Sequence, residues 1–364
     1  MKRVYFTVTN DLCFDQRMHR ICNSLAGAEL EITLVGRYLR NSLPLDRKLF
    51  KQKRLRCFFN KGFLFYAEYN LRLFFFLLFN KMDAICAIDL DTILPCLLIS
   101  KIKNIARIYD AHEYFTELKE VRTRPQVKKF WLFIERLSVP RFKYGYTVSE
   151  SLAGQFKKQY NRNYITIRNL PVLRKLDEIK KGDKFLLAQG AVNEARGFEW
   201  LIPAMQQIEN SLVICGDGNF MPQLKTLIQH YGVQDKIQLR GMILPTDLWP
   251  ITQQATLGLG LAEKEGVHQF LALPNKFFDY IHAGLPQLTM GYPEYEKINA
   301  EFKVAVLIPE LSVEVIAAKV NETMKDESLL KELHANCLRA REVYCWQKEE
   351  KILIDYYKMI LGIE

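Results

Sequence analysis

Short apolar runs recur along this chain with helical stretches between them, and that alternation restricts the fold more than any other feature. VYFTV, EITLVG, AICAI, ARIYD and GYTVS punctuate the first half, and FLLAQG, LVICG, IQLRG, LGLGL, PQLTM and VAVLI the second. Strands that are apolar at nearly every position are buried on both faces, and consecutive parallel strands need crossover helices to join them. The pattern predicts an α/β chain with two doubly wound parallel sheets. Ile167-Arg168-Asn169-Leu170-Pro171 and the charged stretch from Arg174 to Lys184 break the periodicity between the two sets. The expected domains are therefore residues 1–170 and 171–345, followed by a closing helix over 346–364, where Ile352, Tyr356, Met359 and Ile363 fall at helical spacing.

A chain of 364 residues, 49% hydrophobic and 12% aromatic, has ample material for two cores. Its 8 cysteines form no CxxC pair, and several lie inside apolar runs, which is the pattern of reduced thiols in a reducing, cytoplasmic compartment. In the opening MKRVYFTVTNDLC, polar Thr7, Thr9, Asn10 and Asp11 interrupt any apolar region, so a first strand is expected there and not a secretion signal. The net charge of +10 is uneven: 30 basic against 15 acidic residues through Leu170, and 21 against 26 beyond it. Much of the excess lies between Arg37 and Lys61, just before FFNKGFLFYAEYNLRLFFFLLFNK. A basic segment beside an aromatic one suits docking on anionic lipid, at the inner face of the plasma membrane. It equally suits a buried helix face beside a solvated basic loop. The apolar run LRLFFFLLF is far shorter than the roughly 20 residues a membrane span requires. No aromatic-basic module or groove-reading motif points to nucleic acid.

In doubly wound sheets ligands gather at the carboxyl ends of the strands, near helix starts. LVICGDGN places Gly216 and Gly218 in such a turn, where bare backbone serves either tight geometry or ligand approach. GAVNEARG follows FLLAQG and sets Arg196 at a helix start, suited to a phosphate or to solvent. LALPNKFFDYIHAGLPQL carries a single acid, Asp279, between apolar neighbours and stops at Gly284 and Pro286. Asp89-Leu90-Asp91 looks like a strand end, and no His/Cys spacing suits a metal, so neither metal nor cofactor is expected.

Taken in order, NDLCFDQRMHRICNSLAGAELEITLVGR, YDAHEYF, GYTVSESLAGQF, IRNLP, GAVNEARGFEWLIPAM, VICGDGNF, IQLRGM and LPNKFFDYIHAGLP resemble the retaining glycosyltransferases of family four. The likeness is colinear from Lys2 to Pro286. It implies the GT-B fold, two Rossmann-like domains facing an interdomain cleft. The implied activity is transfer of a sugar from a UDP- or GDP-sugar to a glycan or lipid-linked hydroxyl, in surface polysaccharide or glycolipid synthesis.

By position, the resemblance gives Asp279 the ribose hydroxyls of the donor, where the family usually has Glu; an acid complementing the helix dipole is the plain alternative. The companion acid expected eight residues earlier is Leu271 here, and Glu265, or more weakly Glu263, is the substitute. Asn275 and Lys276 fall near the diphosphate. Arg196 matches the base that neutralises the leaving group, while the second base is replaced by Ala191, with Lys276 or Lys264 in compensation. His112 matches the first-domain histidine that faces the donor sugar, and a satisfied strand-end histidine is its alternative. Asn10 and Asp11 match the acceptor or diphosphate loop, without its glycine pair. Gly216, Gly218 and Gly241 match the donor side, Gly241 where backbone holds the base. The implied route is same-face attack with the leaving phosphate taking the acceptor proton, unlike the paired-carboxylate scheme of glycosidases. A sugar-nucleotide epimerase or hydrolase and a non-catalytic nucleotide- or glycan-binding scaffold are the competing readings, because fold does not fix function.

Overall fold

The computed structural model describes every residue except Phe14, residues 178–181, 265–269, Ala272 and Glu364, and for Glu120 the backbone alone. Two compact units emerge: Met1–Asn169 together with Lys348–Glu364, and Leu170–Gln347.

The first unit is built on strands β1 (Arg3–Thr7), β2 (Glu31–Tyr38), β3 (Lys51–Arg56), β4 (Ala84–Ile88), β5 (Ala106–Ala111), β6 (Tyr144–Thr147) and β7 (Ile165–Thr166). They form a parallel sheet in the order β3-β2-β1-β4-β5-β6-β7. Its helices are α1 (Gln16–Gly27), α2 (Gly62–Leu78), α3 (Ile93–Ile102), α4 (Lys119–Arg122), α5 (Pro125–Ser138) and α6 (Glu150–Tyr160). AICAI is buried at all five positions of β4, as a strand covered on both faces must be. Right-handed crossovers send α1 to one face and α2, α3 and α5 to the other, where α2 packs on α3 and α3 on α5. The strand order reverses between β1 and β4, which opens the crevice typical of such sheets at the ends of these strands.

β3 corrects the reading of this segment as a solvated basic loop. KQKRLR pairs with β2 from Thr33↔Lys51 to Tyr38↔Arg56 and forms the sheet edge. It lacks the apolar signal because an edge faces solvent, and its Lys and Arg residues discourage pairing with another chain. Arg54 and Arg56 also lay their guanidinium groups 5.2 and 5.0 Å from the Tyr38 ring centroid, so part of the charge is packed.

The aromatic run that follows is α2. It buries Phe65, Tyr69, Leu73 and Leu77, spaced by four, and the Tyr69 hydroxyl donates to the Val8 carbonyl. Its other side leaves Phe63, Leu64, Leu71 and Phe75 exposed. One face is core and the other is open apolar surface, so neither sequence reading of the stretch holds alone. Among the described residues no helix is long and apolar enough to cross a membrane.

The C-terminal helix Trp346–Leu361 returns to the first unit. There Tyr357 is fully buried against Phe6, with ring centroids 5.8 Å apart, and the Tyr356 hydroxyl accepts from the Gly145 N–H at 2.9 Å.

The second unit contains β8 (Phe185–Gln189), β9 (Ser211–Cys215), β10 (Ile237–Gly241), β11 (Leu257–Gly260), β12 (Gln287–Met290) and β13 (Ala305–Ile308). These form a second parallel sheet, in the order β10-β9-β8-β11-β12-β13. The helices that bear on its carboxyl edge are α7 (Phe198–Ala204), α8 (Met221–His230), α9 (Pro245–Gln254) and α10 (Asn275–His282). Leu186, Ile202, Leu257, Phe277 and Leu288 lie in one continuous core between sheet and helices. In the charged stretch that opens this unit, Arg174 stacks 3.5 Å from the Trp249 ring centroid and is thus partly packed.

The two-faced character of α2 predicts unequal mutational costs. Leu73→Ala is expected to lower stability by about 2–5 kcal/mol, whereas exposed Phe75→Ala stays within about 0.5 kcal/mol of wild type. Urea unfolding midpoints measure both; equal losses would contradict the assigned faces.

Candidate functional site

The loops after β8, β9 and β10 meet at the carboxyl ends of the second sheet. The Gly190 N–H donates to the Cys215 carbonyl at 2.9 Å, and the Gly216 N–H to the Gly241 carbonyl at 2.8 Å. A Cβ at Gly216 would lie 1.8 Å from the Gly190 carbonyl oxygen, and one at Gly218 would lie 2.3 Å from that of Val192. Both glycines are thus required by the contact between the two loops, which is the tight-turn reading of GDG. The Val192 N–H bonds to the Asp217 carbonyl at 3.0 Å, and the Asn219 N–H to Asn193 Oδ1 at 3.1 Å, closing the seam. Gly241 turns the chain after β10 with φ of +65°.

Two cations come together beside this seam. Ala195 and Gly197 both take left-handed backbone, φ +64° and +74°, and Gly197 caps α7, so the loop delivers Arg196 to that helix start. Lys276 sits in the first turn of α10 behind Pro274, which holds the cap position with extended backbone. Asn275 is therefore the exposed first helical residue. Burial, and then the charge of Arg196, push the Lys276 ammonium down to about 7. An anion between the two would relieve their repulsion and replace lost hydration, and the start of α10 adds favourable dipoles.

Asp279 lies one turn further along α10, on the side that carries Lys276. Gln189 Nε2 donates to its Oδ2 at 3.4 Å, while Gln189 Oε1 accepts from the Thr252 hydroxyl at 2.8 Å. Buried Tyr280 fastens the helix to β8 by donating to the Leu187 carbonyl at 3.1 Å and accepting from the Gln189 N–H at 3.2 Å. The helix then stops abruptly. The Ala283 N–H returns to the Asp279 carbonyl at 3.0 Å, Gly284 takes φ of +67°, and Pro286 leads into β12.

Leu271, where the resemblance places an acid, is a buried apolar side chain, and Ala191 is exposed. Glu265 lies outside the described residues. Glu263 is half-buried, and its N–H donates to the Ala195 carbonyl at 3.1 Å, tying it to the Arg196 loop. Lys264 places its ammonium 5.4 Å from the Phe270 ring centroid.

The first unit carries a separate cluster at the ends of β4 and β5. His112 Nε2 is 3.3 Å from Asp110 Oδ2, and its Nδ1 is 3.6 Å from Asp89 Oδ2. The other Asp110 oxygen accepts from buried Arg17 at 3.0 Å, and a second Arg17 nitrogen donates to the Ile167 carbonyl at 3.1 Å. Asp89 holds left-handed backbone, φ +53°, and its Oδ1 accepts from the N–H groups of His112 and Glu113 at 2.9 and 3.3 Å. Burial alone would lower the His112 pKa, but Asp110 and then Asp89 outweigh it and raise the imidazole to about 9. Burial would raise Asp110, yet Arg17 and His112 hold it below the usual carboxylate range. Burial pushes Asp91 up to about 6 against the hydrogen bond from Thr9. Among the described residues no group of three His, Cys, Asp or Glu side chains is placed to hold a metal ion.

Asn10 and Asp11 follow β1. The Asn10 carbonyl accepts from the Arg37 N–H at 3.0 Å. Asp11 Oδ1 accepts from the Cys13 N–H at 3.2 Å and from Arg54 at 3.3 Å, and its Oδ2 accepts from the Ser42 hydroxyl. Burial would raise this carboxyl, but those bonds keep it below its ordinary value. The Asp11 carboxylate is thus engaged in fastening the β1 loop to β3 and the segment before it.

Sequence reasoning did not find Gln189, Thr252, Arg17 or Asp110. Asp110 stands two residues before His112 in YDAHEYF, and two acids flanking one histidine at a strand end was the available signal; Arg17, on α1, gave none.

Residues 172–339 match the family model described as "Glycosyl transferases group 1", nearly the whole of the second unit. The alpha-monoglucosyldiacylglycerol synthase of Streptococcus pneumoniae is 22% identical over 193 residues, 48% of this chain and 43% of that protein. The alignment thus spans less than half the length of this curated relative. Among solved structures, the sucrose-phosphate synthase of Thermosynechococcus elongatus superposes with a TM-score of 0.85 at 13% identity, covering 100% of both chains. Anabaena HepE in complex with UDP-glucose does so with a TM-score of 0.74 at 10% identity, covering 99% of this chain and 100% of that one. The two-sheet α/β architecture is therefore the GT-B fold over the full length of the chain.

The cluster around His112 predicts its titration. With its pKa raised from 6.5 to about 9, the imidazolium contributes stability that is complete below 6.5 and lost as pH rises through about 9. NMR titration of labelled histidine rings is expected to show His112 near 9, far from His282, which burial pushes down to about 4. Asp110→Asn is expected to return His112 toward its ordinary value; an unperturbed wild-type titration would contradict the cluster.

Proposed function

We propose that this chain is a glycosyltransferase that moves a sugar from a nucleoside-diphosphate donor to a lipid-linked or glycan hydroxyl, with retention, at the cytoplasmic face of a membrane. The observation that carries the reading is the gathering of Arg196, Lys276 and Asp279 at one edge of the second sheet: two cations for a diphosphate and a carboxylate for a ribose. The segment holding them is the one matched by the glycosyl transferases group 1 family model. UDP-glucose in the Anabaena HepE structure and the monoglucosyldiacylglycerol in the name of the pneumococcal relative make UDP-glucose and a diacylglycerol lipid the first donor and acceptor to try.

In this reading the bond between the sugar C1 and the diphosphate oxygen breaks while the acceptor oxygen bonds C1 on the same face. The acceptor proton passes to the departing phosphate. Arg196 and Lys276 take up the charge that develops there, the kind of preorganised stabilisation that dominates many enzymic rate enhancements. Asp279 accepts from the ribose hydroxyls, Asn275 adds a donor, and the backbone at Gly241 borders the base, while Gly216 and Gly218 hold the loops that shape the site. Glu265 takes the place of the companion acid over the donor sugar in this reading, and His112 is the first-unit residue to substitute in turnover assays. Metal is not required in this scheme, so activity is expected to survive EDTA.

Thermal shifts with UDP, GDP, ADP and CDP, with and without magnesium, test the donor site. Stabilisation by one nucleotide without metal, lost in Asp279→Ala, is expected. Arg196→Ala is expected to lower turnover by about 10²-fold or more with a smaller effect on donor binding. Lys276 stands near 7, and a bound diphosphate favours its charged form, so donor binding takes up protons and weakens as pH rises above 7. Stabilisation by no nucleotide would contradict the reading. Binding without turnover would indicate a scaffold, and donor cleavage without an acceptor a hydrolase.

A further inference from the structure

The outer side of the helix layer formed by α2, α3 and α5 takes no part in the chemistry above, and it is apolar where water is expected. Phe63, Leu64, Leu71 and Phe75 of α2 and Phe130 and Phe133 of α5 are exposed, Phe63 by 68% and Phe133 by 62%. Phe63 and Phe130 meet edge-on across the two helices with ring centroids 5.9 Å apart, which joins the exposed rings of α2 to those of α5. Scattered exposed hydrophobics are ordinary, but a contiguous phenylalanine surface marks a place where something else covers it. These residues are not ill-packed core. The inward side of the same helices already fills the core with Phe65, Tyr69, Leu73, Leu77, Trp131 and Ile134.

The charge around the patch identifies the occupant. Lys61, Arg72, Lys129 and Arg136 are exposed beside it, and Lys129, Phe133 and Arg136 share one side of α5 by their spacing. The carboxylates of these helices are turned to protein. Glu68 accepts from the N–H groups of Phe58 and Phe59 and pairs with Arg72 at 2.8 Å, and buried Glu135 accepts from the Tyr160 hydroxyl at 2.5 Å. Where β3 leads into α2, Tyr38, Arg40, Arg56 and Phe58 line an opening of about 400 Å³, which extends the basic and aromatic character to that corner. A second copy of the chain would bring like charges together on this face. A surface of lipid phosphates over acyl chains complements both components.

We propose that the α2–α5 face docks on an anionic phospholipid bilayer, with Phe63, Phe75, Phe130 and Phe133 entering the boundary between headgroups and acyl chains and Lys61, Lys129 and Arg136 meeting lipid phosphates. Docking needs only this face and stands or falls apart from sugar transfer.

Flotation of the full chain with vesicles tests it, using phosphatidylcholine alone and phosphatidylcholine mixed with phosphatidylglycerol, at low and high salt. The protein is expected to float with the mixed vesicles and to be released by salt. Phe63→Ser/Phe133→Ser is expected to weaken flotation by about tenfold or more, and Lys129→Glu/Arg136→Glu to abolish the preference for the anionic lipid. Unchanged melting temperatures and nucleotide-induced shifts establish that both variants are folded. Wild-type protein that ignores anionic vesicles, or a serine variant that floats as well as wild type, overturns the proposal. A wild-type dimer that the serine variant dissociates also overturns it, by assigning the face to a second copy.

Discussion

The contact between the loops after β8 and β9 governs the second unit. Gly190 bonds to Cys215 and Gly216 to Gly241, and the backbones approach so closely that a side chain at Gly216 would occupy the Gly190 carbonyl. That seam fixes where the next turn begins, and Ala195 and Gly197 then place Arg196 at the start of α7. On the adjoining strand, the hydroxyl of Tyr280 fastens α10 to β8 and so fixes Lys276 and Asp279. A cation pair of this kind is unfavourable without an anion. Its persistence is maintained by the backbone and core around it, which is how sites are preorganised for charge that arrives with the ligand.

The first unit solves a different problem. It holds a histidine charged while burying most of it, and this needs a carboxylate that is itself kept ionised. Arg17 does that for Asp110, and Asp110 then does it for His112. Asp89, in left-handed backbone, orients the same loop through two N–H groups. Buried charges of alternating sign satisfy one another here at the cost of desolvation, and the loss of any one leaves its neighbour exposed to that cost.

Both sheets were legible because their central strands are apolar at nearly every position, so the residues themselves announce burial on two faces. β3 was hidden for the converse reason: an edge strand of Lys, Gln and Arg has no apolar signature, and only its pairing with β2 reveals it. Asp279 and Arg196 could be located because chain order and the Gly-Pro stop after the helix set their positions. The pairing of Lys276 with Arg196 could be named only as one of two compensations, since it joins loops far apart in sequence. Arg17 was invisible, being one basic residue among many in the first half of the chain; its meaning comes from Asp110 on β5, which it reaches from α1. The stretch from Phe58 to Phe79 offered two readings because apolar residues of α2 face both ways, and composition does not separate an inner phenylalanine from an outer one.

Hydrogen–deuterium exchange with and without UDP tests the central claim most directly, since it reports where a nucleotide acts without assuming any acceptor. Protection is expected in segments covering residues 189–198, 216–220 and 275–284, where the seam, the cation pair and Asp279 lie. Protection confined to other parts of the chain, or none at saturating UDP, would contradict the assignment of the donor site.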